Sequence, residues 1–467
     1  MAALNSASET GERVACRWAL SRRRLLSLSK VAIGPPPRYN QALLLVFVSY
    51  HLPAVNRQPF QTPPRWWPPK MTPWLVRWWR PLINRELVRG QKIVQLDVEG
   101  IEHVQRALAD RAGVLVTPNH SFHYDSYVMI EAAHRCGSPF HFLTAWQVFA
   151  MSKWHEQLFL QWHGCYSINR EASDLQAFKT SVDILRESPH PLVIFPEGDI
   201  YHNNDRVTPF RDGAAAIAMA AAKKASRPVV CIPAALKCFY VDDPTEELKS
   251  LMTRLEESLH WRPRHDLALT DRIYRFAEGL LALKEYEELG QPQSGSVPDR
   301  TVQLAEAVVS RLERQHQVTS KGGFIPERVK EVRRAVIKAI EHDGTPAEVK
   351  SKLAHDLDDL FFVIQLFSYP GDYVAQQPTI ERIAETLDKF EEDVLRADFP
   401  GVRGTRRAVV RFGEPIPVPK EREAKGAVEK WTDLVESRVQ GLLDEINAEA
   451  GKSNTPIKRS RELVAGY

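Results

Sequence analysis

Val114-Leu115-Val116-Thr117-Pro118-Asn119-His120-Ser121-Phe122-His123-Tyr124-Asp125 is the stretch on which the fold turns. Its apolar half, Val114-Leu115-Val116, reads as a strand and puts His120 just past the strand end. A histidine follows at once, and an aspartate five residues later opens the next helical pattern. That spacing lets an imidazole and a carboxylate meet across a strand-to-helix turn. His120 is then placed to take a proton from a hydroxyl. Asp125 orients the ring and stabilises its cation. Such a pair is common by itself; its weight comes from the segments that follow.

Outward from this stretch the pattern alternates. Strand character is predicted at 93–98, 114–117, 139–143, 165–168, 191–195 and 228–236. Between these lie helical patterns: a short one ending at 112, then 126–135, 154–161, 175–187 and 213–223. Strands alternating with helices predict an α/β fold with a mostly parallel sheet flanked by helices. Residues 241–402 break this rhythm with charged amphipathic helices at 245–259, 302–315, 327–342, 346–367 and 379–397, divided by a Gly/Ser/Pro linker at 290–298. Strand character returns at Ala408-Val409-Val410-Arg411-Phe412. The predicted organisation is therefore a basic, largely disordered segment (1–56), a Trp/Arg-rich membrane-interface segment (57–92), and an α/β domain (93–240). A large helical insertion (241–402), a returning strand of the α/β domain (403–418), and a C-terminal helix and tail (419–467) complete it.

The bulk numbers set limits. The chain has 467 residues, 43% of them hydrophobic, with a net charge of +3. It has material for a sizeable core, and its charge does not mark a nucleic-acid binder. The five cysteines are scattered without CxxC spacing, which predicts a reducing interior rather than a disulfide framework. The apolar run at 42–50 is about half of the ~20 residues a membrane span needs, and it lies too far in for a signal peptide. Residues 66–79 hold five of the eleven tryptophans beside basic side chains. Tryptophan with Arg or Lys suits the membrane–water interface. A Trp-rich flap packed on the domain explains the same composition equally well.

Four segments fall at predicted strand ends: Asn119-His120 through Asp125, Gly164-Cys165-Tyr166-Ser167-Ile168-Asn169-Arg170, Phe195-Pro196-Glu197-Gly198, and Val229-Val230-Cys231-Ile232-Pro233. Ligands in open α/β sheets bind beyond the carboxyl ends of strands, so His120, Asp125, Arg170 and Glu197 are expected to converge. Arg170 offers a permanently charged fork for phosphate or carboxylate. Glu197 is suited to accept hydrogen bonds from a polyol or to hold Arg170. A base and an anion clamp without a protein nucleophile suit direct transfer from a bound acyl donor to a hydroxyl.

The ordered set of His-x4-Asp, Gly-x-x-x-Ile-x-Arg, Phe-Pro-Glu-Gly and a Pro-flanked apolar strand resembles the glycerolipid acyltransferases, that is, the glycerol-3-phosphate and 1-acylglycerol-3-phosphate enzymes. Val98-Glu99-Gly100-Ile101-Glu102, Phe210-Arg211-Asp212-Gly213-Ala214 and Val410-Arg411-Phe412-Gly413-Glu414-Pro415-Ile416 extend it, to cover roughly 93–240 and 405–418. The resemblance implies transfer of a fatty acyl chain from acyl-CoA or acyl carrier protein to a hydroxyl of a glycerolipid or lysophospholipid. His120 and Asp125 become the catalytic pair, and Asn119, Arg170, Glu197 and Gly198 the acceptor contacts. No metal or prosthetic cofactor is implied. The expected partners are the thioester donor, the lipid acceptor and the cytoplasmic face of a membrane, bound peripherally.

Two departures concern the acceptor. The family usually continues its third block with Thr-Arg, where this chain has Asp199-Ile200-Tyr201; Arg206 and Arg211 are candidate substitutes. The first block often carries a small Ser where this chain has Phe122 and His123. The alternatives are the same chemistry on a non-phosphoglycerol lipid acceptor, a non-catalytic lipid-binding scaffold, and a metal-dependent hydrolase using His120, His123 and Asp125. The run His202-Asn203-Asn204-Asp205 reads as a solvated loop, and the apolar stretch at 360–367 as the core of the insertion.

Overall fold

The computed structural model describes residues 64–320, 323–420 and 426–452. The expectations for 1–56 and for the tail beyond 452 lie outside the described residues. Helix α1 (Pro73–Arg85) runs into a π-helical turn at Glu86–Gly90. The α/β part follows as β1 (Ile93–Glu99), α2 (Ile101–Ala109), β2 (Gly113–Pro118), α3 (Asp125–Arg135), β3 (His141–Ala145), α4 (Trp146–Met151) and α5 (Trp154–Trp162). It continues with β4 (Cys165–Ile168), α6 (Leu175–Glu187), β5 (Leu192–Val193), α7 (Gly213–Lys224) and β6 (Val229–Tyr240). Next come α8 (Thr245–Ser258), α9 (Leu269–Leu289), α10 (Val297–Gln315), α11 (Ile325–Glu341), α12 (Ala347–Phe367), α13 (Tyr373–Gln376) and α14 (Ile380–Leu395). The chain then re-enters the sheet with β7 (Arg406–Phe412) and β8 (Ile416–Pro417), and α15 (Ala427–Lys452) ends the described part.

The eight-stranded sheet has the order β1-β7-β6-β2-β5-β3-β4, with β8 also on β6. It is mostly parallel: β1 pairs β7 parallel, and β2 through β6 are parallel to one another. The exceptions are β7 and β8, antiparallel to β6. Strand β2 sits centrally and all six of its residues are buried, as expected of a parallel strand covered on both faces. Its alternation divides the core. Val114 and Val116 face a cluster with Met129 and Phe140, while Leu115 faces Tyr166, Ala218 and Val439. Helix α7 can lie close to the second face because alanines make its contact surface; Ala214, Ala215, Ala218, Ala221 and Ala222 are all buried.

Three differences from the sequence reading have physical reasons. Strand β6 runs on to Tyr240 through Lys237, because the buried ammonium there pairs with Asp205 and β7 supplies the ladder. Strand β3 starts at His141 rather than 139, since Pro139 has no N–H to donate. Helix α9 escaped prediction because its buried face is partly ionic: Arg272 pairs with Glu256 at 2.7 Å and Glu285 with Arg300 at 2.7 Å. Gly279 also interrupts its apolar stripe; a Cβ there would lie 2.0 Å from the Trp261 ring. Leu360, Val363 and Leu366 sit in the core shared by α10, α11 and α12.

The Trp-rich segment packs on the domain through some of its indoles and leaves others exposed. Trp67 stacks on Phe149 at 5.4 Å and Trp79 meets Phe159 edge-on at 5.5 Å. Trp74 and Trp78 are 66% and 67% exposed, on one face of α1 with Arg77 and Pro81. No described helix is long and apolar enough to cross a membrane.

Candidate active site

His120 lies two residues past the carboxyl end of β2, and Asp125 opens α3. His120 Nδ1 is 3.0 Å from Asp125 Oδ2. The same oxygen accepts the N–H groups of Ser121 (2.8 Å) and Phe122 (2.9 Å). Three donors thus converge on a carboxylate at a helix N-terminus, where the backbone dipoles favour negative charge. Asp125 is 2% exposed, so water does not compete for it. The imidazole is fixed a second way, stacked on Phe195 with ring centroids 4.1 Å apart. Its side chain stays 18% exposed.

Glu197 holds the backbone of the same loop. One carboxyl oxygen accepts the His120 N–H at 2.7 Å and the other the Thr208 N–H at 3.0 Å. Burial pushes its pKa up to about 8, against the pull of those donors. It is 2% exposed and neither pairs with Arg170 nor opens to a substrate, so the expected acceptor contact gives way to a positioning one. Asn119 is a second correction. It is fully buried, its amide accepts the Leu236 N–H (2.7 Å) and donates to the Leu236 carbonyl (3.0 Å) and Ser121 Oγ (3.1 Å). That amide continues the β2–β6 ladder past Pro118; both its N–H donors are used and it is fully buried, away from an acceptor.

Arg170, beyond β4, donates to the Gly198 carbonyl and lies 3.7 Å from Asp199. Gly198 has φ +78, and a Cβ there would sit 2.6 Å from Arg211 Nε, so the glycine lets the second guanidinium approach. Arg170 and Arg211 flank Asp199. Burial raises its pKa, but the two cations overcome that and hold it below the ordinary value, with His120 near enough to add to the effect. Of the two candidate substitutes, Arg211 therefore reaches the site. Arg206 is committed elsewhere, to Asp372 at 3.1 Å and Gln376 at 2.7 Å.

His123 and Asp125 do not share a ligand position with His120. His123 Nε2 points to Glu392, 2.9 Å away, so the hydrolase arrangement of His120, His123 and Asp125 is not formed. The loop after Gly198 is not solvated either: His202, Asn203, Asn204 and Asp205 are all buried. Its backbone is matched by distant side chains. The Asn204 N–H reaches Glu385, the Asp205 N–H reaches Tyr373, and Val207 N–H reaches Gln440. Sequence reasoning missed these partners because each comes from an element some 170 to 230 residues downstream.

The insertion therefore walls the site. Arg333 pairs with Glu171, beside Arg170; Glu327 lies 3.9 Å from Arg211; Phe367 packs edge-on against Tyr201 at 5.7 Å. Two cavities, of about 640 and about 170 Å³, lie at the opposite strand ends, around His141 and beneath α1, and touch none of these residues. They are not part of the site.

Cys136, Cys165, Cys231 and Cys238 are buried free thiols. Burial pushes the first three up to about 12 and Cys238 up to about 11, so none is an activated nucleophile. Ser121 Oγ is buried and donates to the Asn203 carbonyl.

Residues 95–237 match the family model described as Acyltransferase. No curated protein matches the chain. The matched span runs from β1 to the middle of β6 and takes in His120, Asp125, Arg170, Glu197 and Gly198. Residues 95–237, which hold the candidate site, therefore carry a domain similar to the acyltransferases, and this supports a general acyltransferase activity.

Proposed function

We propose that this protein moves a fatty acyl chain from an acyl thioester to the hydroxyl of a glycerolipid acceptor, with His120 as general base. The observation that carries the reading is the His120–Asp125 pair, fixed by three donors and an aromatic stack inside an acyltransferase domain. With Nδ1–H donating to Asp125, Nε2 carries the lone pair. It takes the acceptor O–H proton as that oxygen attacks the thioester carbonyl. The C–S bond then breaks, and the thiolate leaves with the proton returned by the imidazolium, which Asp125 stabilises meanwhile. Transfer is direct, since the described cysteines are buried, protonated thiols. CoA or a carrier protein supplies the thiol.

Arg170 and Arg211 make an anion site for the phosphate of a 1-acylglycerol-3-phosphate-like acceptor. A second reading is favoured by Asp199. Its carboxylate lies 3.7 Å from Arg170 and within range of the Arg211 charge, and offsets part of both charges, which suits a lipid alcohol without a phosphate. The exposed Trp74, Arg77 and Trp78 face would hold the protein peripherally on the cytoplasmic side of a membrane. The intact pair speaks against a non-catalytic scaffold.

An acceptor panel tests this. Thiol release from acyl-CoA and from acyl carrier protein is measured in vesicles with glycerol 3-phosphate, 1-acylglycerol 3-phosphate and monoacylglycerol. Fastest release with a phosphate-bearing acceptor supports the first reading, and with monoacylglycerol the second. Folded protein that releases no thiol with any of them overturns both.

A further inference from the structure

Three side chains from three separate segments meet beside the catalytic loop, and the acyl-transfer chemistry uses none of them. His123 follows His120 by three residues, His202 lies in the buried loop after Gly198, and Glu392 is on α14 of the insertion. Glu392 offers one carboxyl oxygen to His123 Nε2 at 2.9 Å and the other to His202 Nε2 at 3.1 Å. The donor atoms all lie within 4.8 Å of one another. The site is largely dry: the His202 side chain is 2% exposed, Glu392 9% and His123 27%. Phe399 packs edge-on to His123 at 4.9 Å and Phe122 edge-on to His202 at 6.1 Å, so apolar rings close it off. His202 is held at φ +54, a left-handed conformation that the surrounding structure must enforce.

We propose that His123, His202 and Glu392 form a divalent-cation site, best suited to Zn2+, that clasps helix α14 of the insertion to the His120 loop. Two imidazole nitrogens and one carboxylate are the ligand types zinc takes, and three protein ligands leave a position for water. Tetrahedral ligands at zinc distances stand about 3.4 Å from one another. The two Glu392 contacts, made through different carboxyl oxygens at 2.9 and 3.1 Å, need to lengthen by a few tenths of an ångström, and the widest pair, within 4.8 Å, to close by up to about 1.4 Å. The Phe399 and Phe122 rings supply the apolar shell that limits solvent access. His202 Nδ1 is buried without a protein partner. The metal-bound ring thus lacks the usual outer hydrogen bond, and affinity is expected on the order of 10–100-fold below that of a fully supported site. The ions this ligand set excludes are the oxygen-seeking Mg2+ and Ca2+.

The cation has a role without entering the reaction. It joins the loop that carries His120 and Asp125 to the loop that follows Glu197, and both to the insertion that walls the site. His123, His202 and Glu392 are positioning residues, and the proposal does not rest on the acyl-transfer reading.

Full-length protein is stripped with a chelator and titrated with ZnCl2 in a calorimeter, and metal content is measured by plasma mass spectrometry. Co2+ serves as a second probe through its visible absorption bands. The expected result is one equivalent of Zn2+ per chain and Co2+ bands of a low-coordinate nitrogen and oxygen site. Glu392→Gln and His202→Asn should bind on the order of 100-fold more weakly or worse. His123→Asn, at the most exposed of the three positions, should do the same while keeping the wild-type circular dichroism. Folded wild-type protein that takes up no equivalent overturns the proposal and leaves a hydrogen-bonded clasp. Unchanged binding by His123→Asn and Glu392→Gln overturns it too, since the ion would then sit elsewhere.

Discussion

At the scale of the residue, the site depends on one carboxylate oxygen with three donors. Asp125 Oδ2 fixes the imidazole and also the two peptide N–H groups that shape the turn. Asp125→Asn keeps the volume but replaces an acceptor with a group that also donates. It is expected to leave the fold intact and to slow acyl transfer by about 10²–10⁴-fold, the range of a disabled general base. Steady-state rates with circular dichroism on the same samples check this; a loss under tenfold would remove Asp125 from the catalytic pair. Arg170→Ala is expected to raise the KM for a phosphate-bearing acceptor and to leave that for monoacylglycerol unchanged. Equal effects on both would mean that the arginine serves the loop through Gly198 and not the acceptor. His120 and Asp125 were legible because their spacing straddles one strand end. Asn119 and Glu197 were legible as residues of interest but not in role. Leu236, Thr208 and the His120 backbone satisfy them, and no local pattern announces a partner reached through the fold.

At the scale of the element, helix α1 and the 202–205 loop carry the argument. Trp74 and Trp78 share an exposed face with Arg77, and nothing among the described residues packs on them deeply. If that face meets a bilayer, each indole contributes on the order of 1.5–3 kcal/mol of burial. Trp74→Ala with Trp78→Ala should then weaken binding to anionic vesicles by about 100-fold or more, with little change in Tm; co-sedimentation reads the first and a thermal scan the second. Unchanged binding would assign membrane contact to another surface. Strand and helix positions were largely legible because apolar period follows local geometry. The burial of the 202–205 loop was not. His202-Asn203-Asn204-Asp205 has the composition of a solvated turn, and it is buried because Glu385, Tyr373, Gln440 and Glu392 arrive to satisfy it. Asp205 is the centre of that arrangement, bonded to Lys237, to Arg382 at 2.7 Å and to Asn447 at 2.9 Å. Asp205→Ala leaves the 2%-exposed Lys237 charge without its counter-ion and is expected to cost about 3–5 kcal/mol. A shift of the denaturant midpoint measures it, and a cost under 1 kcal/mol would show that the buried cation does not need this partner.

At the scale of the whole molecule, the insertion and the α/β part pack together in one compact unit. The buried acids of α14 are the joint. Burial pushes Glu385 up to about 8 and Asp388 up to about 7, each outweighing the nearby cations. For an acid with a raised folded pKa, the folded state holds a proton the unfolded state has lost. The stability it contributes is full below about 4.5 and is lost as pH rises through about 8. Relative to Glu385→Gln, the wild type should therefore lose stability between pH 5 and pH 8.5. Thermal scans of both across that range test the sign, and a gap that does not move with pH would contradict it. The central claim is more direct still: His120 drives acyl transfer to a hydroxyl without an acyl-protein intermediate. The measurement that tests it is thiol release from acyl-CoA in lipid vesicles, by wild type and by His120→Ala, with and without acceptor. Acceptor-dependent release that falls by about 10²–10⁴-fold in the variant is the predicted result. Release that persists in folded His120→Ala, or that proceeds without acceptor and leaves the protein acylated, would contradict the account.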